Sequence, residues 1–243
     1  MKKLIEFFAF FLFCGIVFAQ QHDGAYKLIS NNGNEVKDMV VVKIIQDGYY
    51  AVGEKYVEKN EFHSARGGEL NISNGKFIDV QDFNTEDPAC VGEEIAYQIS
   101  VEGDKMTISD ETNQWVWEKI SNEKDALTGN WVMTGRQRDG ELSRNTPGDR
   151  RTIKILSGGR FQWVAFNSAT QEFSGSGGGT YTAENGKYTE NIEFFSRDDS
   201  RVGASLGFDF EVKDGEWHHS GKSSTGNDIY EIWSPYKEAY IKK

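Results

Sequence analysis

The chain is poor in cysteine, in proline and in positive charge. Of its 243 residues only two are cysteine and three are proline. Cys14 falls within an apolar N-terminal run, which leaves Cys90 as the lone cysteine of the remainder, so no intramolecular disulfide is expected. A fold without that cross-link depends on core burial, for which the 13% aromatic content is suited. Basic residues number 27 against 38 acidic ones. So acidic a chain repels phosphate backbones and anionic lipid, which excludes nucleic acid as a partner. After residue 19 no run approaches the roughly 20 apolar residues that span a bilayer, so no transmembrane segment is expected. Catalytic signatures are missing too. Gly175-Ser176-Gly177 lacks the spacing of a nucleophile elbow and leads into no helix. No Cys, His or acid cluster stands at metal-ligand spacing. The expectation is a protein that is not an enzyme and carries neither metal nor cofactor.

The first nineteen residues read as a signal peptide. Lys2-Lys3 form a charged start, Phe7 to Phe18 are almost wholly apolar, and Val17-Phe18-Ala19 precedes a cleavage point before Gln20. Phe13 stands where a lipoprotein box needs a small residue, which argues against anchoring at Cys14. Cleavage would remove two lysines and Glu6, leaving 25 basic and 37 acidic residues and a net charge of −12. The expected location is periplasmic or extracellular. Cys90 itself reads as a semi-buried loop residue.

What the chain does contain is a repeat. Val42-Lys43-Ile44-Ile45 returns as Ile153-Lys154-Ile155-Leu156, and Glu61-Phe62 as Glu172-Phe173. Gly67-Gly68, Asn74-Gly75-Lys76-Phe77 and Val91-Gly92 return as Gly178-Gly179, Asn185-Gly186-Lys187-Tyr188 and Val202-Gly203. Every pair is offset by 111 residues (154 − 43 and 203 − 92 alike). The constant register across turn glycines and apolar positions means two copies of one domain. Copy one spans 20–121 and copy two 127–243. The linker 122–126 is short and polar, and so short a connection should hold the copies in contact.

Each copy reads as a meander of about eight strands. In copy two they fall near 130–135, 151–157, 160–166, 171–183, 186–195, 206–213, 216–221 and 227–233. Asn185-Gly186 and Asp214-Gly215 mark tight hairpins. Phe208, Phe210 and Val212 alternate with Asp209 and Glu211, the period of a strand with one apolar face. The run Gly175-Ser176-Gly177-Gly178-Gly179 enters Thr180-Tyr181-Thr182, a strand and not a helix. It therefore reads as a bend or bulge in a closing barrel, and not as a phosphate loop.

Gly129-Asn130-Trp131 opens copy two immediately before its first strand, and Gly24-Ala25-Tyr26 opens copy one. This opening resembles the Gly-x-Trp motif of lipocalin and calycin barrels. The stretch from Phe161 to Gly221 is similar to lipocalin-like domains of secreted bacterial proteins of unknown function. The resemblance implies an all-β fold of two tandem, antiparallel, up-and-down barrels, with Trp131 plugging the closed end of the second and Tyr26 standing in its place in the first. It also implies a small apolar or amphipathic ligand held non-covalently.

Copy two supplies the candidate walls. Phe161 and Trp163 alternate on one strand, Tyr188, Glu190 and Ile192 on another, and Phe208 and Phe210 on a third. Glu190 shares the face of Tyr188 and Ile192, and an inward carboxylate needs a partner; copy one keeps an acid there as Asp79. The loop Ser196-Arg197-Asp198-Asp199-Ser200-Arg201 places Arg197 and Arg201 at a barrel rim, suited to a carboxylate or sulfate. His218 and His219 face opposite sides of one strand and cannot share a metal, although an inward His218 leaves haem ligation as an alternative. The competing reading is a cell-envelope interaction module, with filled barrels and a protein partner.

Overall fold

The computed structural model describes residues 22–223 and 226–240. The expected signal peptide lies outside the described residues. In the first half the strands are β1 (Gly24–Asn31), β2 (Asn34–Glu35), β3 (Met39–Gln46), β4 (Tyr49–Tyr56), β5 (Phe62–Ser73), β6 (Lys76–Asn84), β7 (Glu94–Glu102), β8 (Lys105–Ser109) and β9 (Gln114–Ser121). In the second half they are β10 (Gly129–Arg138), β11 (Glu141–Arg144), β12 (Arg150–Ser157), β13 (Arg160–Asn167), β14 (Glu172–Glu184), β15 (Lys187–Phe195), β16 (Ser205–Lys213), β17 (Glu216–Lys222) and β18 (Asp228–Pro235), followed by a short helix α1 (Tyr236–Ala239). All pairings within the two sheets are antiparallel between sequence neighbours, apart from the closing pairs and a skip around two short strands. β9 returns to β1 and β18 to β10, so each sheet closes into an eight-stranded barrel, with β2 and β11 as side hairpins. The fold is all-β, two barrels in tandem.

Local chemistry explains the strand ends. Asn185 (φ 52°) with Gly186 (φ 75°) and Asp214 (φ 53°) with Gly215 (φ 80°) form hairpin turns whose left-handed backbone matches strand twist. β11, the strand absent from the expected set, follows Asp139-Gly140, a turn of the same kind.

The glycine run of copy two is a point of close backbone approach. The β14–β15 register slips between Gly178 and Gly179, and the β5–β6 register slips at the equivalent Gly67 and Gly68. A Cβ on Gly179 would sit 2.0 Å from the Asn191 carbonyl oxygen, and one on Gly68 2.0 Å from that of Val80. Each bulge bends the barrel and re-aims one acid, Glu193 in copy two and Asp82 in copy one. Gly179→Ala is accordingly expected to cost about 3 kcal/mol of stability in urea unfolding, as overpacking against backbone does.

The apolar runs on β3 and β12 do not alternate, because both faces of these strands are covered. Lys154 faces the barrel interior, while Ile153 and Ile155 face the other barrel and join Ile44, Ala51, Phe83, Val132, Val164 and Phe166 in one shared core. The barrels meet through equivalent surfaces. Gln46 and Ser157, one repeat apart, hydrogen-bond at 2.8 Å. Phe62 and Phe173, also one repeat apart, stack with centroids 6.1 Å apart and planes within 3°. The pair behaves as an isologous dimer built into one chain. Across the same interface Arg151 Nη2 lies 2.7 Å from Asp82 Oδ2, both side chains buried. Tyr49 Oη donates to Asp82 at 2.9 Å, and Tyr236 Oη on α1 approaches the same oxygen at 3.4 Å.

The residues of the Gly-x-Trp opening are buried at the start of each barrel. Trp131 Nε1 donates to the Leu127 carbonyl at 2.9 Å and packs edge-on to Trp217. Tyr26 in copy one donates to the His22 carbonyl at 2.9 Å.

Candidate functional site

Neither barrel is filled. Barrel two holds a cavity of about 560 Å³, within the range of small-molecule sites. Of the nine residues singled out in the sequence, Trp163, Glu190, Ile192, Phe208, Arg197 and Arg201 line it. The other three do not. Phe161 and Tyr188 are fully buried in the packed floor, and Phe210 is a half-buried residue packed against that same cluster.

The floor is charged and aromatic at once. Glu190 Oε1 lies 2.7 Å from Lys154 Nζ and accepts a 2.9 Å hydrogen bond from Tyr188 Oη. Lys154 is thus the partner that an inward Glu190 requires. Its ammonium also sits 5.2–5.3 Å from the ring centroids of Tyr188, Trp217 and Trp233, within cation–π range. Beside it, Glu231 is paired with Arg136 at 2.6 Å. Burial opposes the Glu231 charge, but His219, Lys154 and Arg136 outweigh it and hold the carboxyl at about 2.

His219, and not His218, is the inward histidine. β17 places His219 on the cavity wall, stacked on Trp217 and edge-on to Phe208 at 4.3 Å. His218 is half-buried and hydrogen-bonds Tyr230 Oη at 2.8 Å. The two-residue alternation was right and its phase was not. Burial and the Lys154 charge lower the His219 pKa, with Glu231 and Glu190 opposing them. Both of its nitrogens are buried without a hydrogen-bond partner among the described residues, since the Glu231 oxygen at 3.6 Å is too far. Among the described residues no group of three or more metal-ligating side chains comes together.

At the open side, basic residues gather. Arg197 lies across Gly175 and donates to the Ser174 carbonyl through Nε (2.9 Å) and Nη2 (2.6 Å). Gly175, at φ 153°, lies so close beneath the guanidinium that a Cβ would come within 2.5 Å of Nε and push the arginine aside. Arg201 is steadied by Asp198 at 3.1 Å. Altogether Arg136, Arg150, Lys154, Arg197 and Arg201 line the cavity against two carboxylates, Glu190 and Glu231, while Arg151 points the other way, to Asp82 between the barrels. This basic lining stands inside a strongly acidic protein.

Barrel one has a cavity of about 580 Å³ with the opposite balance: Lys43 and Arg66 against Glu54, Asp79, Glu86 and Asp87. Position 86 shows the divergence of the copies, since the acidic Glu86 stands where copy two has Arg197. Among the described residues no helix is long and apolar enough to cross a membrane. A comparison of the chain with protein-family models finds no match, and a comparison with curated proteins finds none either.

Proposed function

We propose that the protein is an exported lipocalin-like binder that holds one small amphipathic molecule in barrel two, with an anionic group towards the arginines. One observation carries this reading: a cavity of about 560 Å³ lined by Arg136, Arg150, Lys154, Arg197 and Arg201 against the carboxylates of Glu190 and Glu231, in a chain with a net negative charge. The apolar tail would lie against Trp163, Ile192, Leu206, Phe208 and Trp233. The anionic end would meet Arg197 and Arg201, which offer planar, paired donors for a carboxylate or sulfate. His219, whose ring nitrogens make no hydrogen bond among the described residues, offers a further polar contact deep in the pocket. Cavities in both barrels favour ligand binding over a role as an envelope interaction module with filled barrels.

Dodecanoate tests the reading. Titration followed by tryptophan fluorescence should show saturable binding in the wild type. Trp163 is a half-buried wall residue, packed edge-on to Phe195. Trp163→Ala is expected to weaken binding about tenfold while lowering the urea midpoint only slightly, because about 1.4 kcal/mol of contact accounts for that factor. Equal loss of binding and stability would make Trp163 plain packing and count against the site.

A further inference from the structure

The two barrel floors use the same lysine position differently. Lys43 and Lys154 are one repeat apart, as are Asp79 and Glu190. In barrel two the longer Glu190 reaches Lys154 and closes an ion pair. In barrel one the acid is shorter by one methylene, and Tyr50 replaces Phe161. Tyr50 Oη donates to Asp79 Oδ2 at 2.5 Å, and Gln81 Nε2 approaches the same oxygen at 3.3 Å. The carboxylate is drawn to these two groups, and no ion pair or hydrogen bond holds Lys43 among the described residues. Its ammonium position is enclosed by Trp117, Phe77 and Tyr50, with centroids at 4.2, 4.7 and 5.6 Å. The second Asp79 oxygen, Oδ1, is buried without a partner, and Lys43 and Asp79 line the same cavity. That cavity opens past Asn31, Glu86 and Asp87, all exposed.

From this arrangement we infer that Lys43 is a nucleophilic amine that captures an apolar aldehyde in barrel one as an imine. The Nζ lone pair adds to the carbonyl carbon, and the C=O π electrons move to oxygen, which takes up a proton as nitrogen releases one. The resulting carbinolamine is protonated at its hydroxyl and loses water as nitrogen closes the C=N bond; the iminium then gives up its proton. One amine and one aldehyde give one imine and one water, with no oxidant or reductant. Asp79 Oδ1 is the free oxygen in the cavity able to hold and return the proton. Leu28, Val41, Ile108 and Trp117 supply apolar walls for the aldehyde chain.

The electrostatics agree with the geometry. Burial pushes the Lys43 pKa down to about 7, Arg66 adds to that, and Asp79 and Glu54 oppose it. Glu54 is itself paired with Arg66 at 2.5 Å. Burial also raises the Asp79 pKa against the hydrogen bonds from Tyr50 and Gln81. A desolvated amine of this kind is the usual form of an imine-forming lysine. Near pH 7 its uncharged fraction exceeds that of an exposed lysine by roughly a thousandfold.

The inference does not depend on the ligand of barrel two and is tested separately. The full-length mature protein is exposed briefly to decanal with sodium cyanoborohydride at pH 7, then digested and mapped by mass spectrometry. The expected result is one decyl group on Lys43, about tenfold or more above any exposed lysine. The Lys43→Arg variant should lose that label and keep the weak surface background. Labelling of Lys43 at or below the level of exposed lysines would overturn the inference, and the wild-type map alone decides this if the variant does not fold.

Discussion

Lys43→Met is expected to make the protein more stable, by roughly 3–5 kcal/mol at pH 6. The reason is the distance between the Lys43 pKa in the folded chain, about 7, and the ordinary lysine value of 10.5; each unit is worth about 1.4 kcal/mol. The folded value is the lower one, so between pH 7 and 10.5 the unfolded chain binds more protons and stability rises with pH. Below about pH 7 the full penalty of burying the charge is present; by pH 10.5 it has gone. The gain from Lys43→Met should therefore be largest at pH 6 and should shrink steadily towards pH 10. Urea midpoints of the two proteins at both pH values measure it. A variant less stable than wild type at both would mean that Lys43 is held by interactions stronger than the three rings. Retention of so costly a residue in the floor is consistent with a chemical use for its amine.

Asp82→Ala should have an effect of similar size and opposite sign. The Asp82–Arg151 pair is buried between the barrels, 2.7 Å apart, and Arg151 is stacked 4.1 Å from Tyr240 and 4.6 Å from Phe166. Removing the carboxylate leaves a buried guanidinium without its counter-charge and costs about 3–5 kcal/mol. It also leaves the Tyr49 hydroxyl without the acceptor it uses at 2.9 Å. The double variant Asp82→Leu with Arg151→Met should recover most of the loss, because a well-packed apolar pair can replace a buried ion pair. A loss below about 1 kcal/mol for Asp82→Ala would show that water reaches Arg151 at this interface.

Much of the architecture was legible because it rests on local rules. Turn pairs such as Asn185-Gly186 set the hairpins, and the Gly177-Gly178-Gly179 run marked a bulge where no side chain fits. The interface between barrels was less legible, although its signal was present. Val41 to Ile45 and Ile153 to Leu156 fail to alternate, which means that a strand is buried on both faces. Within the same runs stand Lys154 and Lys43, lysines whose inward phase aligns them with Glu190 and Asp79. The basic lining of barrel two was half legible. Arg197 and Arg201 lie together in one loop, but Arg136 and Arg150 arrive from β10 and β12, and only closure of the sheet brings them there. Phe161, Tyr188 and Phe210 share their strands' apolar faces with true cavity residues; their depth along the barrel, which periodicity does not encode, places them in the packed floor instead.

The central claim is that barrel two selects an anionic amphipath, and calorimetric titration with a charge series tests it most directly. Dodecanoate and dodecyltrimethylammonium share one chain and differ in the sign of the head. The account predicts one equivalent of dodecanoate bound, weakened by Arg197→Gln and by added salt, with no binding of the cationic analogue that Trp163→Ala weakens. Equal binding of both, or binding of dodecanoate that Arg197→Gln and Trp163→Ala leave unchanged, would contradict it.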